Sequence, residues 1–299
     1  MEKTQVFKLG GAFFAPRIIK KFRFFKDRAK RLYVVSAVKG VTRLLEIIFK
    51  ISVQKDLDDD FKEDLINRSL KKFVKIHRKL IVGLFKRDRR DVVLDQFNLL
   101  VKELRETIFS RPENDDQYYS SILKYGELAS SKILSNYLLS IKVENVWFDA
   151  RDYVLTDSNF HDAKIDSVDS GFEKHFSLSQ VLITQGFIGK SITGKDTVLG
   201  YDGSDESAAR FAMALSKDNE VEVTFFKDVL GVYNGNPKKD KNLKVYTSLT
   251  PGGYTLLVKE TETYVVRPDS IVDLAQANIK AIIRSYLDLS HPGTVITRE

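Results

Sequence analysis

The stretch Thr4-Gln5-Val6-Phe7-Lys8-Leu9-Gly10-Gly11 decides how this chain is read. A β-prone run, Thr4 to Leu9, stops at a glycine pair, and the arrangement returns when the apolar run Leu32 to Ala37 stops before Lys39-Gly40. Between the two, Pro16 opens a helix in which Ile18, Ile19, Phe22 and Phe25 recur at helical spacing. The segment therefore reads as βαβ, and the fold as α/β with a parallel sheet. Loops at the carboxyl ends of such strands face one crevice, so both glycine loops are candidate ligand edges.

Downstream, the spacing predicts helices from about Thr42 to Phe109, carried by Leu44, Leu45, Ile48 and Ile51, then Leu65, Phe73, Leu80 and Leu84, then Val93, Phe97, Leu100 and Leu104. This reads as a helical subdomain, in which Asp58-Asp59-Asp60 and Lys86 to Arg90 are solvated turns or faces. A turn-rich stretch, Arg111 to Asp116, precedes a helix beginning near Tyr125, and a strand Val143 to Phe148 ends at Asp149-Ala150-Arg151. Phe172 to His175 and an apolar strand Val181 to Phe187 follow. Beyond the Gly-, Ser- and Thr-rich stretch to Asp205 come a helix Ser207 to Leu215, a strand Val221 to Phe226 and a turn at Gly235-Asn236-Pro237. Strands are predicted at Tyr246 to Leu249, Tyr254 to Val258 and Ile279 to Ser285, with a helix at Ser270 to Gln276.

The 299 residues suffice for one large domain or two smaller ones, and 43% hydrophobic with 30% charged residues is a globular composition. Forty-eight Lys and Arg against 41 Asp and Glu give +7, an excess that suits anionic small ligands without demanding nucleic acid. With no cysteine, thiol nucleophiles, thiolate metal sites and disulfides are excluded. His77, His161, His175 and His291 share no metal-ligand spacing. No signal peptide and no apolar stretch of about 18 residues is visible, so the expected location is cytoplasmic, with neither membrane nor nucleic acid as partner.

Two elements point to chemistry. A glycine pair after a buried strand lets backbone approach a bulky anion, and Lys8 brings a fixed charge to that loop, although a tight turn beside a solvated lysine would look the same. Gly200-Tyr201-Asp202-Gly203-Ser204-Asp205 runs straight into a helix, whose N-terminus favours phosphate; plain N-capping by Ser204 or Asp205 is the alternative.

Both elements gain weight from Gly126-Glu127-Leu128-Ala129-Ser130 and Gln185-Gly186-Phe187-Ile188-Gly189, where the sequence resembles the aspartokinases of the amino acid kinase family. The matching blocks run in the family's order: Val6 to Gly11 for K-F-G-G, Val35 to Thr42 for S-A-x-x-G-V-T, Gly126 to Ser130 for G-E-x-x-S, and Phe148 to Arg151 with Thr156-Asp157 for D-A-R…T-D. Gln185 to Asp205 is similar to Q-G-F-I-G…T-T-L-G-R-G-G-S-D, Lys227 to Tyr233 to T-D-V-x-G-V-Y, and His291 to Ile296 to the closing G-T-x-I.

The resemblance implies a three-layer αβα sandwich over 1–299, with a substrate lobe 1–180 carrying a helical insertion at about 43–110, and a nucleotide lobe 181–299. It implies transfer of the γ-phosphoryl group of MgATP to the side-chain carboxylate of L-aspartate, opening lysine, threonine and methionine biosynthesis, with magnesium carried by the ATP and no direct metal ligand. On this likeness Lys8 stabilises the transferring phosphoryl group and Asp205 orients Lys8 or helps place the metal. Gly10, Gly11, Gly203 and Ser204 donate backbone N–H groups, Glu127 accepts from the substrate ammonium, and Ser36 and Thr42 line the substrate position. Asp228 and Tyr233 match nucleotide contacts, Lys227 stands beside the nucleotide, and Lys238 replaces an arginine near the phosphates. A homodimer is compatible with the family's habits.

The departures fall at contact positions. Tyr201-Asp202 replaces the R-G of R-G-G-S-D, so a bidentate arginine grip on a substrate carboxylate gives way to a neutral hydroxyl and an added negative charge. Ala12-Phe13 replaces a hydroxyl pair, Lys227 a threonine, and Tyr264 a lysine of the family's G-A-K-V-L-H-P. With the chain ending at Glu299, no regulatory ACT domain is expected. A divergent nucleotide-binding paralogue, with altered substrate or a non-catalytic regulatory role, is the alternative reading.

Overall fold

The computed structural model describes residues 3–22, 29–110, 114–217, 219–235 and 243–298. The first half contains β1 (Lys3–Leu9), α1 (Pro16–Lys21), β2 (Arg31–Val35), α2 (Val41–Val53), α3 (Asp59–Leu84), α4 (Arg87–Ser110), α5 (Asp115–Leu123) and α6 (Tyr125–Ser140). Next come β3 (Val146–Trp147), β4 (Val154–Thr156), β5 (Ile165–Val168), β6 (Val181–Gln185), β7 (Ile188–Ser191) and β8 (Asp196–Val198). The chain closes with α7 (Gly203–Leu215), β9 (Glu220–Lys227), β10 (Ser248–Leu249), α8 (Pro251–Thr261), α9 (Pro268–Gln276), β11 (Lys280–Ser285) and β12 (Thr294–Ile296).

Eight strands form the main sheet in the order β10-β12-β11-β9-β1-β2-β6-β3, parallel throughout except where β11 meets β12. The strands β2 and β6 are buried along their whole length, as is β1 from Val6 to Leu9, which requires cover on both faces. The helix α7 packs on β1, β2 and β9 beside α9, while α6 packs on β2, β3 and β6 and is braced by α2 to α5. This is the parallel α/β sheet expected from the βαβ reading, in the three-layer sandwich that the family resemblance implies. A smaller sheet, β5-β4-β7-β8, packs against α7 through β5.

Local chemistry explains the elements. The acidic run Asp58-Asp59-Asp60 starts α3: the Asp58 carboxylate accepts from the Asp60 and Phe61 N–H groups at 3.0 and 3.2 Å, satisfying orphan donors at the positive helix end. Asn114 caps α5 in the same way, a helix not anticipated from the turn-rich composition around it. The predicted strand Val143 to Phe148 shrinks to Val146–Trp147 at the sheet edge. Tyr254 to Val258, predicted as a strand, belongs instead to α8, capped by the Thr250 hydroxyl with Pro251 in the first turn. Phe25, Arg111 to Glu113 and part of the Gly235-Asn236-Pro237 turn lie outside the described residues. Among the described residues no helix is long and apolar enough to cross a membrane.

Candidate functional site

Parallel order places the carboxyl ends of β1, β2, β6 and β9 side by side. Lys8 lies one residue before the end of β1, and Lys227 ends β9, whose Phe226 is paired with Leu9. Asp205, in the first turn of α7, lies between the two lysines. Its Oδ1 is 2.7 Å from Lys8 Nζ and its Oδ2 is 2.6 Å from Lys227 Nζ. Asp205 is fully buried and Lys8 is 7% exposed. Burial pushes the Asp205 carboxyl up, but the two ammonium groups outweigh it and hold the acid below its ordinary range. Burial also lowers Lys8, with Asp205 opposing in part.

The approach of α7 to the strand ends requires Gly186 after β6, since a Cβ there would come within 2.8 Å of Ser204 Cα. Gly11 serves a similar end: a Cβ would reach the Ala37 carbonyl oxygen at 2.5 Å, so the first glycine loop is fitted to the second. The Lys39 N–H closes that fit by donating to the Gly11 carbonyl at 3.0 Å. At the head of α7 the Gly203 N–H donates to the Gly200 carbonyl at 2.9 Å, so this donor is engaged inside its own turn. Ser204 is buried beside it.

Glu127 projects from the first turn of α6 toward the β2–α2 loop, where its Oε1 accepts from the Ala37 N–H at 3.0 Å. Its Oε2 is buried without a hydrogen-bond partner. Burial raises this acid to about 8, and the Ala37 N–H and the charge of Lys8 offset only part of that. The loop is fixed by the Ser130 hydroxyl, which donates to the Ser36 carbonyl at 2.8 Å. Ser36 and Thr42 are half-buried, one opening that loop and one in the first turn of α2.

A cavity of about 510 Å³ opens beside Lys227, which lines it with Asp228, Tyr233, Tyr201 and Asp202. Its far wall, Tyr254, Leu257 and Val258 of α8, escaped sequence reasoning because a five-residue aromatic and β-branched run reads as a strand. The signal was present in Thr250-Pro251, a helix-start pair. The Tyr254 hydroxyl donates to the Val266 carbonyl at 2.6 Å and fixes the segment that presents Tyr264. Burial raises the Tyr264 phenol, and the nearby Asp202 charge adds to that rise. Asp202 sits at φ 60°, in the left-handed region that favours glycine. Lys238 lies outside the described residues.

Two further motifs act structurally. Arg151 bridges Asp149 at 2.6 Å and Asp196 at 2.9 Å, and Lys124 reaches Asp196 at 2.6 Å, so the Asp149-Ala150-Arg151 block ties the small sheet to the helical layer. The Thr294 hydroxyl accepts from the Val232 N–H at 2.8 Å and donates to the Tyr246 carbonyl at 2.6 Å, anchoring the loop that carries Tyr233. Among the described residues no group of three or more His, Asp or Glu gathers into a metal-holding cluster.

The family model described as "Amino acid kinase family" matches residues 3–285. The chain is 27% identical over 281 residues to the bifunctional aspartokinase/homoserine dehydrogenase 1 of Arabidopsis thaliana, covering 91% of this chain and 30% of that protein. It is 28% identical to the aspartokinase of Chlamydia trachomatis, covering 94% of this chain and 61% of that one. The chain thus spans less than two thirds of the length of these relatives. Its fold matches Escherichia coli aspartokinase III in complex with aspartate and ADP with a TM-score of 0.79 at 22% identity, over 98% of this chain and 64% of that chain. A family model matched over residues 3–285, on a parallel sheet of this order, places the chain in the amino acid kinase family.

Proposed function

We propose that the chain transfers the γ-phosphoryl group of MgATP to the side-chain carboxylate of L-aspartate, giving 4-phospho-L-aspartate and ADP. The observation that carries this reading is the Lys8–Asp205 ion pair, joined through Lys227 to a cavity of nucleotide size, together with the unpartnered Oε2 of Glu127. Two relatives bear the name aspartokinase, and the fold neighbour holds aspartate and ADP.

The nucleotide occupies the cavity between Tyr233 and the α8 wall, and its terminal phosphate reaches Lys8 and the Gly10-Gly11 loop. Magnesium carried by the nucleotide would neutralise phosphate charge, with no direct ligand required from the protein. Glu127 takes the substrate ammonium, which favours the ionised form of an acid that burial otherwise keeps protonated up to about pH 8. The β-carboxylate of aspartate is already ionised near pH 7, so no general base is needed. One of its oxygens forms a bond to the γ-phosphorus with its own electron pair. The bond from phosphorus to the bridging oxygen breaks, and that pair leaves with ADP. Lys8 holds the charge that spreads over the transferring group, and Asp205 holds Lys8. Residues 1–180 serve as the substrate lobe in this scheme and 181–299 as the nucleotide lobe.

One observation favours a second reading, a relative with an altered acceptor. Tyr201 is 83% exposed and Asp202 adds a negative charge where a substrate carboxylate would be gripped. Trapping of acyl phosphate by hydroxylamine, with MgATP and L-aspartate, decides between them. Hydroxamate from the native chain, lost in Lys8→Ala, supports the aspartate reading. ATP binding without hydroxamate overturns it in favour of another acceptor or a regulatory role.

A further inference from the structure

The cavity wall holds an imbalance. Asp202, Asp228 and Glu262 line it, and Lys227 is the one cation among its described lining residues. A nucleotide triphosphate brings several negative charges into this acidic surround. Lys227 reaches the wall from the end of β9, with its side chain 16% exposed, and its ammonium group lies 2.6 Å from Asp205 Oδ2 while Lys8 holds Oδ1. Neighbouring parallel strands thus deliver two lysines to opposite oxygens of one fully buried carboxylate. That carboxylate fixes both cations before any ligand arrives, and a fixed cation stabilises developing charge without reorganising.

We propose that Lys227 is a second catalytic lysine, contacting the terminal phosphate of the nucleotide together with Lys8. This rests on the reading of the cavity as a nucleotide site and deepens it. As the acceptor oxygen bonds to the γ-phosphorus and the bridging bond breaks toward ADP, negative charge gathers on the bridging oxygen and the equatorial oxygens. Lys8 and Lys227 approach that charge from two adjacent strand ends, and no proton changes place. A residue that served only as cavity wall would act on adenosine and be indifferent to the third phosphate.

The test compares binding of MgADP with that of magnesium and the non-hydrolysable β,γ-imido analogue of ATP by isothermal titration calorimetry. It uses the full chain with Lys227 intact and the variants Lys227→Thr, Lys227→Gln and Lys227→Arg. A charge-assisted contact is worth roughly tenfold or more in affinity. Lys227→Thr and Lys227→Gln should therefore weaken the triphosphate analogue by about that factor while moving ADP less than about threefold, and Lys227→Arg should retain the preference. Glutamine keeps a hydrogen-bond donor for Asp205, so it carries the comparison if threonine impairs folding. Equal weakening of both nucleotides, or of neither, overturns the role of Lys227. A native chain that binds no nucleotide overturns both this role and the reading beneath it. Lost discrimination in the variants, in a chain that yields no aspartyl hydroxamate, supports Lys227 and overturns only the acceptor.

Discussion

Two buried carboxylates stand on opposite sides of the strand ends and are pushed in opposite directions. Asp205 is fully buried and held below its ordinary range, because each oxygen meets a lysine. Glu127 is 2% exposed and raised to about 8, because one oxygen meets a backbone N–H and the other meets nothing. Burial alone penalises charge at both sites, so partners decide the outcome. Asp205 is complete in the free protein and works as a fixed frame for cations. Glu127 is incomplete, which suits a group whose partner arrives with the substrate.

Breaking the complete side should have the largest effect. Asp205→Asn leaves two lysines without a countercharge in a buried site, and we expect a loss of about 3–5 kcal/mol in urea unfolding. Phosphoryl transfer should fall at least on the order of a hundredfold. A stable, active Asp205→Asn protein would show that the lysines need no buried anion.

The head of α7, on the Asp205 side, can be supplemented. In the double variant Tyr201→Arg with Asp202→Gly, arginine restores a bidentate carboxylate grip and glycine accepts the φ of 60° without strain. Its kcat/KM for aspartate should rise roughly tenfold to a hundredfold if aspartate is the acceptor. No change would assign the pocket to another ligand.

The raised acid makes a pH-dependent prediction. Between its ordinary 4.5 and about 8 the folded chain retains a proton on Glu127 that the unfolded chain has released, so this group lowers stability as pH rises through that window. The slope is at most about 1.4 kcal/mol per pH unit. Glu127→Gln should flatten the fall in denaturant midpoint across the window, and an unchanged profile would place the titration elsewhere. The smallest effect is expected at Ser130→Ala, which removes the hydroxyl that holds the Ser36 carbonyl at 2.8 Å. About 1 kcal/mol should be lost. The KM for aspartate should shift more than that for ATP, since the loop it fixes borders Glu127 and lies away from the nucleotide cavity.

Much of the site was legible in the sequence. Lys8, Asp205 and Glu127 stand in motifs, and a motif whose residues are fixed by a strand end or a helix start keeps its geometry wherever those elements form. Lys227 was legible only as a replacement beside the nucleotide. Its contact with Asp205 depends on β9 lying next to β1, a pairing 217 residues apart along the chain at Gln5 and Glu222. The α8 wall was misread because Tyr254 to Val258 fits a strand as well as a helix over so few residues, and the cap at Thr250 settles the matter only with its hydrogen bond to Gly253.

By itself the sequence determined the α/β class, the glycine loops and the acids and lysines that punctuate them, because strand periodicity and helix starts are local properties. Tertiary structure decided which carboxylate is charged. Asp205 and Glu127 are both acids in the first turn of a helix, and neither sequence context nor burial separates them. Only the packing of β1 against β9, and of α6 against the β2–α2 loop, gives one acid two cations and leaves the other an empty oxygen.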